Sequence, residues 1–189
     1  GFHNFYISIH YKADMVKEHF GDGKKWGVTI NYIYEGKPLG TAGGLGLLPS
    51  DLPKLPILMM NSDLLTTIDF EQLLNFHHKE GGDATMCVRE YDFKVPYGVI
   101  EENDGRIISI KEKPVHKFFI NAGIYVLSPS ILNIVNGIDY LDMPQLLEKK
   151  IEDSGQINMF PVHEYWLDIG QIDQFNQAQR DSKWLFDDW

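Results

Sequence analysis

The sequence predicts a mixed α/β fold, a mostly parallel sheet flanked by helices with a small antiparallel lobe on one edge. Three observations predict it. Short apolar runs that read as strands alternate with amphipathic stretches long enough for helices. One run, Pro56–Met60 within Leu55–Asp63 (LPILMMNSD), holds five apolar residues in succession behind a proline, too few for a stable helix and fitting a parallel strand buried on both faces. Between residues 99 and 111 the rhythm changes, because Val99–Glu102 and Arg106–Lys111 flank Asn103-Asp104-Gly105, where Asp-Gly suits a hairpin turn that needs positive φ.

The elements follow in order. Asn4–Ile9 reads as a strand, and Tyr11–Phe20, closed by Gly21, as a helix with Met15, Val16 and Phe20 available to face the sheet. Val28–Tyr34 alternates β-branched and aromatic residues and is the next strand, followed by the glycine-rich stretch Gly36–Leu48, where Thr41 could cap a short helix. After the strand at Leu55–Asp63, which the reading places at the centre of the sheet, Asp69 caps a helix over Phe70–Lys79. Leu73, Leu74 and Phe76 form its inner side, and Gly81-Gly82 stops it. Ala84–Glu90 is another buried strand. Phe118–Leu127 is a second central strand, interrupted at Asn121-Ala122-Gly123, where glycine implies a bulge or a close backbone approach. Asp142 before Met143-Pro144 starts a helix continuing through Gln145–Glu152. Ile157–Val162 is a strand, and Glu164–Gly170 leads into a helix over Ile172–Leu185.

At 189 residues, 43% hydrophobic and 13% aromatic, the chain can bury a core as one domain spanning residues 1–189. No apolar run approaches the ~18 residues of a membrane span. A formal charge of −10 with no basic stripe argues against nucleic acid and anionic membranes as partners, so an anionic small substrate would need a metal ion or a few placed cations. The single cysteine, Cys87, sits in the apolar run Ala84–Val88 and reads as a small buried hydrophobe. Without a possible internal disulfide the chain fits a reducing cytoplasm. It starts at Gly1 with no signal-like segment, which reads as an excised piece.

Several places could carry chemistry. Asp63 ends the run at Leu55–Asp63, and in open α/β sheets ligands gather outside the carboxyl ends of strands. Spacing alone leaves two readings of it, a ligand-handling carboxylate or a cap. Gly40-Thr41-Ala42-Gly43-Gly44 removes side chains where a backbone could approach a flat or charged ligand, or is simply a turn. Asp63 and Asp168 each follow a hydrophobic strand and could together hold Mg²⁺, which takes few protein oxygens plus substrate phosphates. Glu112-Lys113-Pro114 offers a carboxylate for hydroxyls and an ammonium for phosphate, or is a solvated turn. The seven histidines show no metal-ligand spacing, and His77-His78 beside Lys79-Glu80 read as solvated.

Taken together, LGTAGG (Leu39–Gly44), NSD (Asn61–Asp63), PYGVI (Pro96–Ile100), EKP (Glu112–Pro114), NAG (Asn121–Gly123) and WLDIG (Trp166–Gly170) stand in the order and approximate spacing of the sugar-1-phosphate nucleotidyltransferases. The chain resembles that family over nearly its whole length, and within it the mannose-1-phosphate guanylyltransferase-like branch, whose LGTAG loop is similar. The resemblance implies a Rossmann-like, GT-A-like nucleotidyltransferase fold. It also implies the reaction of an NTP with a sugar 1-phosphate to give an NDP-sugar and pyrophosphate, with GTP favoured. By position, Leu39, Gly40, Thr41, Ala42, Gly43 and Gly44 would line the base, Thr41 bonding its edge through hydroxyl and nearby amides. Asp63 and Asp168 would hold Mg²⁺ against the phosphates. Gly98, Glu112, Asn121 and Gly123 would surround the sugar, and Lys113 would lie near its phosphate.

One departure stands beside the match. Family members begin with a strand and a loop of the form GGxGTRLxPxTxxxPKP, and nothing like it precedes Gly1, so at least one βα unit of roughly 30 residues is expected to be absent. The fragment is then expected to be inactive alone and, with an apolar strand edge bared, to form homo-oligomers. The competing reading is a catalytically inactive, regulatory or nucleotide-sugar-binding relative. A nucleotide-sugar-dependent glycosyltransferase fits less well, because Asn61-Ser62-Asp63 is only half of a DxD motif.

Overall fold

The computed structural model describes residues 1–186. In chain order the elements are β1 (Asn4–Ile9), α1 (Ala13–Phe20), β2 (Thr29–Tyr34), α2 (Gly40–Gly43), β3 (Ile57–Met60), β4 (Leu64–Thr66), α3 (Phe70–Glu80), β5 (Ala84–Lys94), β6 (Val99–Asn103), β7 (Arg106–Lys111), β8 (Val115–Leu127), α4 (Pro129–Leu132), α5 (Met143–Glu152), β9 (Ile157–Pro161), β10 (Trp166–Asp168) and α6 (Ile172–Leu185). Among the described residues no helix is long and apolar enough to cross a membrane. The chain divides into two compact units. The first comprises residues 1–57, 81–84 and 127–157, and the second comprises residues 58–80, 85–126 and those from Asn158 onward.

In the first unit β1 and β2 pair in parallel, Asn4 opposite Thr29 through Ile9 opposite Tyr34, joined by α1 as a parallel connection requires. The inner face expected for α1 is only partly realised. Val16 is half-buried, but Met15 is 61% and Phe20 38% exposed. Phe20 packs instead on Trp26, ring centres 5.7 Å apart. α5 begins as expected, with Pro144 in its first turn and the Gln145 side chain accepting the Asp142 amide at 3.1 Å. Its Met143, Leu146 and Leu147 are buried. Asp83 gathers three segments of this unit, accepting from the Ser130 hydroxyl (3.0 Å), the Gln156 amide (3.2 Å) and the Lys150 ammonium (3.1 Å).

The second unit carries a four-stranded sheet in the order β3, β8, β5, β9. The run at Leu55–Asp63 is thus not the central strand: β3 ends the order among the described residues, and Ile57, Leu58 and Met59 are only half-buried. The middle belongs to β8 and β5, strands of 13 and 11 residues against the four of β3. The core gathers Leu64, Ile68, Leu73, Cys87, Ala122, Ile124, Val126 and Val162, with Leu58, Phe70, Leu74, Phe160 and Trp166 packed against it. Cys87 is inert, its thiol pushed up to about 12 by burial and by the Glu164 carboxylate. Asp69 caps α3, taking the Glu71 and Gln72 amides at 2.9 and 3.0 Å. Phe76 meets Phe160 edge to face at 5.3 Å.

His77 is a correction. It is buried, only 4% exposed, and its Nδ1 bonds the equally buried Thr85 hydroxyl at 2.9 Å. Position 77 lies four residues past Leu73 and therefore on the same inward face of the helix. His78, next to it, is exposed as expected. The expected hairpin forms between β6 and β7, with Asp104 at φ 49 and Gly105 at φ 77, two successive left-handed residues as a type I′ turn demands.

Candidate active site

Leu39–Gly44 lies in the first unit and is tightly held. α2 spans Gly40–Gly43 with Leu39 at its cap position, so Thr41 sits inside the helix and does not cap it. Leu39 and Ala42 are buried side chains of the core, while Thr41 is exposed. The backbone polar groups are mostly spoken for. The Glu35 carboxylate accepts the Leu39 amide (2.9 Å), Asp142 Oδ1 accepts the Thr41 amide (3.0 Å), and the Leu141 carbonyl accepts those of Ala42 and Gly43 (2.9 and 3.0 Å). The Leu141 amide in turn donates to the Leu39 carbonyl at 2.8 Å. The Thr41 hydroxyl accepts the Met143 amide at 2.8 Å and lies 3.4 Å from Asp142 Oδ1.

The glycines have the same explanation. A Cβ on Gly40, at φ 77, would stand 2.7 Å from the Leu141 carbonyl oxygen, and one on Gly43 would stand 3.0 Å from that of Asp139. The space that glycine frees is filled by Leu141 and Asp142 at position 40, by Leu39 and Asp139 at 43, and by Glu35 and Ser8 at 44.

Asp63 and Asp168 both belong to the second unit, and the backbone brings them together. β4 and β10 pair antiparallel with Asp168 opposite Leu64, and the Asp63 carbonyl accepts the Ile169 amide at 2.7 Å. The two aspartates therefore occupy adjacent rungs of one ladder. Both side chains are exposed, and neither carboxylate has a hydrogen-bond or ion-pair partner among the described residues. Gly170 lies beside one of them: a Cβ there would be 3.3 Å from Asp168 Oδ1. Among the described residues no group of three or more histidine, cysteine, aspartate or glutamate side chains could enclose a metal. Exposed, uncommitted carboxylates are the kind of oxygen ligand that Mg²⁺ takes beside retained waters and substrate oxygens.

The expected sugar residues fall into two groups in the same unit. Gly98 lies against Glu112, whose Oε2 would be 3.0 Å from a Cβ at position 98. Lys113 follows at φ 45, an uncommon conformation for a residue with a side chain, and its backbone N–H donates to the Tyr97 carbonyl at 3.2 Å. Its ammonium is 4.0 Å from Glu112, and both are exposed. In the other group, Gly123 at φ 71 leaves room for Asn61, whose Nδ2 would be 2.9 Å from a Cβ there. The Asn61 amide donates to the Gly123 carbonyl, and Asn121 accepts the Gly123 amide, each at 2.9 Å. The Asn121 Nδ2 donates to the Tyr125 hydroxyl at 2.6 Å. Asn61 and Trp166, whose indole N–H donates to the Ala122 carbonyl at 2.9 Å, complete this group and were not singled out individually from sequence.

The fold is mixed α/β, with Asp63, Asp168, Glu112 and Lys113 all exposed. Residues 1–183 match the family model described as nucleotidyl transferase. The chain is 35% identical over 181 residues to a mannose-1-phosphate guanyltransferase of Pichia angusta, covering 89% of this chain and 48% of that protein. It is 31% identical over 187 residues to the mannose-1-phosphate guanylyltransferase catalytic subunit beta of Dictyostelium discoideum, covering 93% and 50%. The chain belongs to the sugar-1-phosphate nucleotidyltransferase family, and it spans about half the length of these relatives. In fold it is similar to the crystal structure of HddC from Yersinia pseudotuberculosis, with TM-score 0.70 at 23% identity over 96% of this chain and 79% of that one. A putative glucose-1-phosphate thymidylyltransferase from Bacillus anthracis gives TM-score 0.71 at 17% identity, over 94% and 75%.

Proposed function

We propose that the protein transfers a nucleotidyl group from an NTP, GTP by preference, to a sugar 1-phosphate, giving an NDP-sugar and pyrophosphate. The observation that carries this reading is the pair of uncommitted carboxylates, Asp63 and Asp168, on adjacent rungs of β4 and β10. A phosphate oxygen of the sugar 1-phosphate attacks the α-phosphorus of the NTP; that P–O bond forms as the bond to the pyrophosphate oxygen breaks. Such a transfer asks for alignment and charge neutralisation, with no nucleophile from the protein.

Asp63 and Asp168 would hold Mg²⁺, which when bound offsets phosphate charge. Glu112 accepts from sugar hydroxyls, Asn121 and the open backbone at Gly98 and Gly123 border the sugar, and Lys113 neutralises its phosphate. Thr41 and the backbone of Leu39–Gly44 that the internal bonds leave exposed meet the base. The relatives named mannose-1-phosphate guanyltransferase support GTP and a mannose-type sugar.

The test is pyrophosphate release by the full-length protein with GTP, ATP, UTP and dTTP against several hexose 1-phosphates. GTP with mannose 1-phosphate is expected to give the highest kcat/KM. No release with any pair would overturn the reading in favour of a non-catalytic relative.

A further inference from the structure

We infer that Asp142 is a positioning residue for the nucleotide loop, fixing which polar edges Leu39–Gly44 offers a base; this rests on the reading of that loop given above. Asp142 lies 101 positions from Thr41, yet its Oδ1 takes the Thr41 amide at 3.0 Å. The next residue, Met143, donates its amide to the Thr41 hydroxyl at 2.8 Å, and the preceding one, Leu141, takes the Ala42 and Gly43 amides. Three consecutive residues thus clamp three consecutive loop positions. Asp142 Oδ2 is steadied by the Tyr140 hydroxyl at 2.9 Å. Glycine at position 40 is what admits the clamp, because a Cβ there would stand 2.8 Å from Asp142 Oδ1.

A carboxylate accepting an amide makes a strong bond, and a loop held in one geometry loses less freedom when a ligand binds. The exposed Thr41 side chain is held by the same segment, its hydroxyl accepting the Met143 amide at 2.8 Å and lying 3.4 Å from Asp142 Oδ1. Asp142 also stands at the start of α5, and the two roles are separable. Gln145 serves only the helix start, accepting the Asp142 amide.

The experiment compares Asp142→Ser, Asp142→Asn and Gln145→Ala in the full-length protein. Serine keeps a helix cap but is too short to reach the Thr41 amide, asparagine keeps an acceptor of the right length, and Gln145→Ala weakens the helix start alone. Asp142→Ser is expected to speed amide hydrogen exchange at Thr41–Gly43 without nucleotide and to raise KM for the NTP about tenfold or more. KM for the sugar 1-phosphate stays within about twofold, and Asp142→Asn restores the NTP value to within about threefold. Gln145→Ala lowers the melting temperature and leaves both loop exchange and NTP KM unchanged. Unaltered exchange in Asp142→Ser would overturn the clamp alone. Faster exchange with an unchanged NTP KM would show that Leu39–Gly44 does not meet the nucleotide, removing the loop reading with it. An equal rise in NTP KM from Gln145→Ala would reduce Asp142 to a helix cap.

Discussion

Trp166 and Ala122, 44 residues apart, are joined by one bond: the indole N–H of Trp166 donates to the Ala122 carbonyl at 2.9 Å. It ties β10, the strand of Asp168, to the Asn121–Gly123 stretch of β8. Trp166→Phe keeps most of the ring's packing and leaves the carbonyl of a fully buried residue without its donor. A loss of about 1–3 kcal/mol is expected in urea denaturation, with an unchanged m-value.

Asp63→Asn and Asp168→Asn should separate metal binding from stability. Both side chains are exposed and unpartnered among the described residues, so each variant is expected to keep its unfolding free energy within about 0.5 kcal/mol. Each should weaken nucleotide-dependent Mg²⁺ binding, read by calorimetric titration of Mg²⁺ with GTP present. Wild-type Mg²⁺ affinity in both variants would remove the pair from metal binding.

Burial, with a smaller contribution from the charge on His78, holds the His77 imidazole below its usual 6.5. The unfolded chain takes up this proton more readily than the folded one, so stability is fully present above about pH 6.5. It falls as the pH drops through that value toward the lower folded pKa. His77→Gln, which keeps a partner for Thr85, is expected to flatten the stability–pH slope below pH 6.5 relative to wild type. Parallel slopes in the two proteins would refute the assignment.

Two glycine substitutions should differ in sign. Gly105 sits at φ 77 with open space where a Cβ would go, so Gly105→Ala costs backbone strain alone, about 1–2 kcal/mol. At Gly36 the space is equally open and φ is not in the left-handed region, so Gly36→Ala is expected to stabilise by about 0.4–1 kcal/mol through the unfolded chain. Thermal unfolding of both variants checks the pair.

What could be read from sequence was what local chemistry decides. The β6–β7 hairpin, the Asp69 and Asp142 helix starts and the extent of α6 all rest on neighbours a few residues apart. The charged neighbours Lys79 and Glu80 make His77 read as solvated, while its place four residues after Leu73 puts it on the buried face of α3. β4 and β10 are three residues each, too short for any periodicity to announce, and they exist because they pair with each other. The Thr41–Asp142 contact left no trace either. Asp142 before Met143-Pro144 is fully explained as a helix start, so nothing local shows that its carboxylate reaches a loop 101 positions earlier.

The pairing of β4 with β10 also bears on how the protein comes into being. Its partners, Leu64 with Asp168 and Thr66 with Trp166, are about a hundred residues apart, and so long a loop must close before either short strand gains anything. The neighbourhood of Asp63 and Asp168 is therefore expected to assemble late in folding. On the ribosome it forms only after Trp166 has emerged, when β1, β2 and the β6–β7 hairpin have long had their own partners within reach.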